Sequence, residues 1–281
     1  MIIFENILDM QNFAESSRKK GKRIGLVPTM GYLHEGHLSL IRNMRKNCDV
    51  LVVSIFVNPA QFGISEDLNK YPRDFERDQE LCRKEDVDVV FYPEASTMYP
   101  EDYDTYITVE KLSTIMCGIS RPTHFRGVTT VVAKLFNIIK PQIAIFGEKD
   151  YQQAVIIKKM VRDLNFNLVI ETVPIIRESD GLALSSRNKY LNEADRKNAL
   201  VLYQSLQHAK NLFQKGERNT LVLKQEMEKM IQQIPNARID YIEIVTPGTL
   251  NSLDQIQEKA IAALAVFIGK TRLIDNLMLE E

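Results

Sequence analysis

Two histidines, His34 and His37, stand three positions apart where an apolar run gives way to an amphipathic one. The apolar run, residues 24–27, predicts a strand, and residues 37–47 predict a helix. A helix start carries unpaired backbone N–H groups and a partial positive charge, so phosphates bind there readily. The imidazoles would add N–H donors beside the same anion, and Gly36 between them lets the backbone come close. This stretch therefore predicts a site for a phosphate chain.

The same spacing leaves other ligands open. A His-x-x-His pair also suits zinc, and a histidine near a helix start is most often a surface or cap residue. The chain has only four histidines, no third ligand stands near the pair in the sequence, and no Cys-x-x-Cys motif occurs. Phosphate is therefore the favoured ligand and zinc the weaker alternative.

Polar residues also follow two later apolar runs. Residues 50–57 are apolar and β-branched, which predicts a strand buried in a parallel sheet, and Gln61 follows them. After a predicted strand at 143–146, Lys149 can reach a phosphate and Asp150 can accept hydrogen bonds from a ribose. Gln61 could equally cap its loop, and Asp150 could be a helix N-cap. Ligand crevices of open α/β sheets lie at these carboxyl ends of strands.

Two further segments carry residue types that bind anions. The Ser-Ser-Arg tripeptide at 185–187 follows a predicted strand at 168–176 and a glycine-containing turn, and it supplies two hydroxyls and a guanidinium. The connection 94–127 has no periodic pattern, which is typical of a binding loop or lid. Its residues 121–127 form a cationic patch, or else a solvated surface loop. We expect the loops after the strands to converge on one triphosphate.

Strands and helices alternate along the first part of the chain. This alternation predicts a Rossmann-like parallel sheet, which is an α/β fold, over residues 1–176. The other elements expected there are helices at 8–20, 74–85 and 128–139, a helix reaching 164, and a strand at 87–93.

Past about residue 190 the pattern changes. Two helical stretches, 193–213 and 219–233, precede strands at 239–245 and 260–268 and a tail at 271–276. Helices followed by strands predict a smaller α+β domain with an antiparallel sheet, at residues 177–281.

Composition excludes several broad classes. The 281 residues, 44% of them hydrophobic, can bury a sizeable core, and 36 basic against 37 acidic residues argue against a general nucleic-acid or membrane partner. Cys48, Cys82 and Cys117 are odd in number and widely spaced, which is typical of reduced thiols. No run approaches the ~18 apolar residues of a membrane span. We expect a soluble, cytoplasmic protein.

Motif searches exclude three enzyme classes. Residues 269–271 read Gly-Lys-Thr like the end of a P-loop, but the required glycine is replaced by Leu264. Neither Gly-x-Gly-x-x-Gly after a strand nor Gly-x-Ser-x-Gly occurs. P-loop phosphotransferases, dinucleotide oxidoreductases and serine hydrolases are therefore unsupported.

Six motifs in this order resemble the pantoate–β-alanine ligases, a family of the nucleotidyltransferase superfamily with a His-x-Gly-His signature. They lie at residues 28–37, 56–62, 124–128, 147–153, 180–188 and 240–241. The resemblance implies an ATP-dependent condensation of (R)-pantoate with β-alanine to pantothenate, in coenzyme A biosynthesis. Pantoate would attack the α-phosphate of ATP, and β-alanine would then displace AMP from pantoyl adenylate. It also implies Mg²⁺, a cytoplasmic homodimer and a C-terminal domain that covers the site.

The resemblance also implies residue roles. His37 would be the proton donor, with His34 and Lys149 as further catalytic residues. Gln61 and Gln153 would contact pantoate, and Gln61 also β-alanine, while the protein ligands of the metal are not assigned. The ATP-binding residues would be Met30, Gly31, Tyr32, Leu33, His34, Glu35, Gly36, His37, Gly147, Glu148, Lys149, Asp150, Ile176, Leu184, Ser185, Ser186 and Arg187.

Two other functions share part of this pattern. One is a nucleotidyltransferase that stops at a nucleotide-linked product, which the two glutamines and the second domain disfavour. The other is a non-catalytic nucleotide sensor, which the complete set of donors argues against.

Overall fold

A computed structural model describes residues 1–64 and 66–281. It divides into two compact units, the first made of residues 1–148 and 156–174 and the second of residues 149–155 and 175–281. The helices are α1 Ile7–Lys19, α2 Glu35–Arg45, α3 Phe75–Lys84, α4 Ala95–Met98, α5 Cys117–Ser120, α6 His124–Ile139, α7 Tyr151–Asp163, α8 Glu193–Asn198, α9 Leu200–Gln214 and α10 Thr220–Gln232. The strands are β1 Ile2–Phe4, β2 Ile24–Thr29, β3 Val50–Ile55, β4 Val89–Phe91, β5 Ile143–Gly147, β6 Val169–Val173, β7 Ala237–Val245, β8 Ala260–Ile268 and β9 Thr271–Leu279.

The first unit is built on a parallel sheet in the order β1-β4-β3-β2-β5-β6, which confirms the predicted Rossmann-like fold. From β2 the chain builds outward through β3 and β4, and it then returns to the other side of β2 for β5 and β6. The strand order thus reverses beside β2. In open α/β sheets such a switch point opens a crevice at the carboxyl ends of the strands.

Both faces of this sheet are buried. Successive residues of β2 alternate between two apolar clusters, Leu26 facing one and Val27 the other. Helices α1 and α6 cover the first face, and α2 covers the second. This arrangement explains why the strands read as continuous apolar runs, since a side chain on either face meets a helix.

The second unit contains an antiparallel sheet in the order β7-β8-β9, with α9 and α10 packed on its apolar face, which confirms the smaller α+β domain. The segment 271–276, predicted as a tail, is instead part of β9 and pairs with β8 along its whole length. The Gly-Lys-Thr sequence at 269–271 lies at the hairpin between them, where Gly269 has φ +57°. A tight hairpin often needs this left-handed conformation, so the resemblance to a P-loop is accidental.

The predicted irregular connection 94–127 is partly helical. It contains α4 and α5, and α6 begins at His124, four residues before the predicted start at 128. Gly127 lies inside α6 because that helix packs directly on the backbone that follows β3. A Cβ on Gly127 would lie 2.2 Å from the carbonyl oxygen of Ala60. The glycine serves a close approach of two backbones rather than ending a loop.

Replacing Gly127 by alanine is therefore expected to destabilise the first unit by roughly 1–3 kcal/mol, the usual cost of overpacking a core. The carbonyl of Ala60 belongs to backbone and cannot move aside as a flexible side chain can. Thermal unfolding followed by circular dichroism measures the effect. Gly63→Ala is the matched control, because a Cβ there first meets the flexible side chain of Glu66 at 3.4 Å. Equal melting temperatures for the two variants would contradict the close approach.

Within the part of the chain that the structure describes, no helix has both the length and the apolar character that a membrane span requires.

Candidate active site

The turn that follows β2 has an unusual backbone. Gly31 has φ +79° and Tyr32 has φ +49°, so two successive residues lie in the left-handed region. For a residue with a side chain this region costs roughly 1–2 kcal/mol. The hydroxyl of Thr29 accepts the N–H of Gly31 at 3.1 Å and donates to the carbonyl of Ser54 on β3 at 2.8 Å. Leu33 is fully buried, so its side chain belongs to the core rather than to a ligand site.

His34 and His37 are placed by the start of α2, which begins at Glu35 rather than at the predicted residue 37. Nδ1 of His34 accepts the N–H of Gly36 at 3.2 Å, and Nδ1 of His37 accepts the N–H of His34 at 3.3 Å. The ring centroids are 4.1 Å apart. The two imidazoles thus form a reciprocal capping box, in the places usually taken by Ser or Thr and by Glu. The side chain of Glu35 itself pairs with Arg42.

In this capping arrangement, Nδ1 of each ring faces a backbone N–H group. A neutral imidazole that accepts a hydrogen bond at Nδ1 carries its proton on Nε2. His34 and His37 therefore both present an Nε2–H donor when neutral. The backbone amides at the start of α2 and the Nε2–H groups of the two imidazoles together form a set of donors suited to an anion.

Gln61 lies one strand away, in the turn after β3. Its Nε2 donates to Sδ of Met30 at 3.0 Å, and its Oε1 accepts from Nδ2 of Asn58 at 3.0 Å. Asn58 is 1% exposed and is held in turn by the hydroxyl of Tyr99, which donates to its Oδ1 at 2.8 Å. The turns after β2 and β3 are thus connected through side chains. Tyr99 lies outside every motif, and no local pattern in the sequence marks its role.

Each basic side chain of the predicted cationic patch has a partner in the structure. Arg121 forms an ion pair with Glu66 at 2.5 Å, and the guanidinium of Arg126 lies 4.5 Å from the ring centre of Tyr106. Nδ1 of His124 lies 2.9 Å from the carbonyl oxygen of Gln61. A carboxylate therefore already occupies donors of Arg121, and the interpretation of these residues as an anion site stays a prediction.

Gly147 ends β5 on the other side of β2, and Glu148 follows it. A Cβ on Gly147 would meet no atom of the described residues within 4 Å, so the backbone here is open to a ligand. The carboxylate of Glu148 accepts a hydrogen bond from the hydroxyl of Thr172 at 2.9 Å. In the first unit, the predicted residues thus occupy the tips of three adjacent strands, β3, β2 and β5.

The second unit holds Lys149 and Asp150, which begin its short N-terminal segment. The carbonyl of Lys149 accepts from Nδ2 of Asn276 on β9 at 3.0 Å. Burial lowers the pKa of the Lys149 ammonium, as does the guanidinium of Arg187, while Asp150 and Asp275 oppose this shift. Lys149 and Arg187 therefore act on each other as neighbouring cations, an arrangement that favours an anionic ligand.

Arg177 is a structural cation of the same unit. It donates to Oδ2 of Asp275 at 2.7 Å and to Oδ1 at 2.9 Å, and Asp275 is 3% exposed. Burial raises the pKa of the Asp275 carboxyl, and the paired guanidinium opposes that rise. The fork of hydrogen bonds anchors the strand-like segment that contains Ile176 to β9.

Ile176 and Leu184 are brought together by a turn. The N–H of Leu184 donates to the carbonyl of Ile176 at 3.0 Å, and Gly181 between them has φ +100°. Ser185 then caps a 3-10 turn, because its hydroxyl oxygen accepts the N–H of Arg187 at 3.2 Å. The hydroxyls and the guanidinium of the Ser-Ser-Arg tripeptide thus belong to one compact turn.

Gln153 lies half-buried on α7, next to the buried Gln152. Its predicted contact with pantoate stays a prediction, as do the binding roles of all the residues above.

A metal ion held by the protein alone would need several ligand side chains close together. Among residues 1–64 and 66–281, no set of three or more His, Cys, Asp or Glu side chains could hold a metal ion. Within those residues, the histidine pair therefore lacks the further ligands that a zinc site requires.

Comparisons with known proteins agree on one family. A family model described as Pantoate-beta-alanine ligase matches residues 2–278. The pantothenate synthetase of Thermotoga neapolitana is 55% identical over 279 residues, covering 99% of this chain and 100% of the relative. A crystal structure of pantothenate synthetase from Thermus thermophilus is 42% identical, with a TM-score of 0.94 and 100% of both chains covered. The pantoate-beta-alanine ligase of Francisella tularensis, solved with beta-gamma ATP and beta-alanine, is 37% identical with a TM-score of 0.81, over 100% of this chain and 98% of that one.

Proposed function

This chain belongs to the pantoate–β-alanine ligase family, and from that premise we propose that it condenses pantoate with β-alanine, using ATP, to give pantothenate, AMP and pyrophosphate. The observation that carries the proposal is the family match over residues 2–278, within which the histidine pair caps a helix at the switch point of the sheet.

In the first step, a carboxylate oxygen of pantoate attacks the α-phosphorus of ATP, and the bond to pyrophosphate breaks. Such a transfer depends on placing the reactants and stabilising charge on the phosphate oxygens. The Nε2–H groups of His34 and His37 are suited to this task, since both rings are oriented by their capping bonds. His37 is the proposed proton donor, and in its capping form it would donate its Nε2–H to a phosphate oxygen as a hydrogen bond.

Four residues are proposed as further donors to the phosphate oxygens. Lys149 and Arg187 offer an ammonium and a guanidinium, and Ser185 and Ser186 offer hydroxyls, so all four suit phosphate oxygens. Mg²⁺ is proposed as well and would neutralise charge on the triphosphate when bound. Since no cluster of ligands lies among the described residues, phosphate oxygens rather than protein side chains would hold most of its coordination sphere.

In the second step, the amine of β-alanine attacks the acyl carbon of pantoyl adenylate, the bond to AMP breaks, and the nitrogen loses a proton. Gln61 is proposed to contact pantoate and β-alanine, because an amide both donates and accepts hydrogen bonds. Its fixed partners, Met30 and Asn58, hold it beside the histidine turn. Gln153 is proposed as the second contact of pantoate.

Replacing Gln61 by alanine is expected to raise the apparent KM for pantoate by about tenfold, in the range of a lost hydrogen bond to a charged group. The KM for ATP should change much less, because the histidine pair keeps its capping bonds. Steady-state kinetics with each substrate varied in turn measures both values. Gln79→Ala is the control, since Gln79 makes an exposed hydrogen bond to Arg83 on α3. An unchanged pantoate dependence would remove Gln61 from the substrate site.

The proposed reaction is tested by pyrophosphate formation from ATP and pantoate, with and without β-alanine. We expect pyrophosphate without β-alanine in an amount close to that of the enzyme, and continuous release of AMP and pantothenate once β-alanine is added. A stable nucleotide conjugate as final product would indicate another nucleotidyltransferase. Absence of pyrophosphate would indicate a nucleotide sensor.

Three further proposals rest on the family alone. The first is a cytoplasmic location, where ATP is present. The second is that this chain forms a homodimer, which light scattering tests. The division of roles, substrate binding by residues 1–176 and a covering function for residues 177–281, also stays a prediction.

A further inference from the structure

Asp78 is a buried carboxylate that belongs to none of the recognised motifs. It lies in the first turn of α3 and is 1% exposed. Its Oδ2 accepts the N–H of Tyr32 at 2.7 Å, and its Oδ1 accepts the N–H of Leu33 at 2.7 Å. One side chain thus binds two consecutive amides of the turn that leads into His34.

The turn needs such an external partner. Gly31 and Tyr32 both have positive φ, a conformation that a tyrosine rarely adopts without support from its surroundings. The fit is close, since a Cβ on Gly31 would lie 3.1 Å from Oδ2 of Asp78 and 2.9 Å from Ile55. The guanidinium of Arg77, the residue before Asp78, lies 5.2 Å from the ring centre of Tyr32. Helix α3 therefore contacts the turn in two ways. Asp78 binds backbone amides of the turn, and Arg77 lies over the ring of Tyr32.

An ionised carboxylate satisfies both amides, and an amide side chain does not. The carboxylate has two acceptor oxygens and no donor, whereas an amide of the same size has one acceptor and a donating NH₂ group. Burial raises the pKa of the Asp78 carboxyl, while its bonds to Leu33 and Tyr32 oppose that rise. A carboxyl group buried with a raised pKa is more typical of functional sites than of ordinary cores.

We propose that Asp78 is a positioning residue for the phosphoryl-transfer step: by clamping the amides of Tyr32 and Leu33 it sets the direction in which His34 and His37 present their Nε2–H groups. This role rests on the proposed function, because it assumes that the histidines act on ATP. Misplacement of such donors by about 1 Å is enough to slow a reaction by about 100-fold.

The test compares Asp78→Asn with Asp88→Asn. Asp88 is the control, because its carboxylate also accepts a backbone N–H, that of Leu51 at 2.8 Å, and pairs with an arginine. It does so at the amino end of the sheet, away from the histidine turn. For Asp78→Asn we expect kcat for pyrophosphate formation to fall at least about tenfold, while KM for β-alanine changes less than about twofold. Asp88→Asn should keep the wild-type kcat, with both variants confirmed as folded by circular dichroism.

A spectroscopic measurement tests the clamp independently of activity. In wild-type protein, the amide protons of Tyr32 and Leu33 should be shifted downfield by the carboxylate and should exchange slowly with solvent. In Asp78→Asn, the amide chemical shifts of Tyr32 and Leu33 should change more than those of any other residue outside α3. Rapid exchange of both amides in the wild type would overturn the proposal even if the variant did not fold.

The outcomes separate this proposal from the proposed function. Wild-type kcat in folded Asp78→Asn, or equal losses in both variants, would show that Asp78 is only a structural residue. If the wild type itself made no pyrophosphate while the two amides behaved as expected, the reaction would be wrong and the clamp would stand.

Discussion

Replacing His37 by alanine is expected to slow pyrophosphate formation from ATP and pantoate by at least ~100-fold, as for the loss of a donor that stabilises charge in a transition state. The imidazole has two functions in this chain. Its Nδ1 accepts the N–H of His34 and so caps α2, and its Nε2–H is the proposed donor to the phosphates. Loss of the cap alone should lower the free energy of unfolding by about 1 kcal/mol.

Two conservative variants separate these functions. His37→Asn keeps an acceptor near the position of Nδ1, so it should keep most of the stability and lose most of the rate. His37→Gln can place an NH₂ group near the position of Nε2, so it should recover part of the rate that alanine loses. His208→Ala is the control, because His208 lies on α9 beside Glu226. Near-native turnover in His37→Ala would exclude His37 as a catalytic residue.

Replacing Lys149 by alanine is expected to slow ATP-dependent exchange of pyrophosphate by about 100-fold or more, because the triphosphate loses a cationic donor. The backbone carbonyl of Lys149 accepts a hydrogen bond from Nδ2 of Asn276. Truncation of the Lys149 side chain leaves this bond in place and should therefore leave the local fold intact. Lys158→Ala, at an exposed position of α7, is the matched control. Exchange at the wild-type rate in Lys149→Ala would contradict a role in ATP binding.

The lowered pKa of Lys149 also predicts a pH dependence. As pH rises through that pKa the ammonium loses its charge, so kcat/KM for ATP should fall at a pH below the range of an ordinary lysine. Arginine stays protonated at these pH values. In Lys149→Arg, any remaining activity should therefore lack this alkaline decline. An identical decline in the two proteins would assign it to another group.

The residue types of the site and the alternation of elements were readable from the sequence. Burial on both faces of a central strand produces a continuous apolar run, and a helix start after a strand is marked by local composition. The end of β3 and the start of α2 were therefore predicted to within two residues. Local signals failed where a residue serves a distant partner. Gly127 looked like the end of a loop because the backbone it contacts, that of Ala60, lies far from it in the chain.

The sequence by itself determined which chemical groups the chain carries, in what order, and the class of fold that presents them. Only the tertiary structure decided how those groups are oriented. Asp78 stands 46 positions after Tyr32, and Asn276 stands 127 positions after Lys149, yet each holds its partner by a hydrogen bond of 3.0 Å or less. Hydrophobic periodicity reports only which face of an element is buried. It carries no information on which polar group of another element completes a turn, because that pairing is made by packing between segments far apart in the chain.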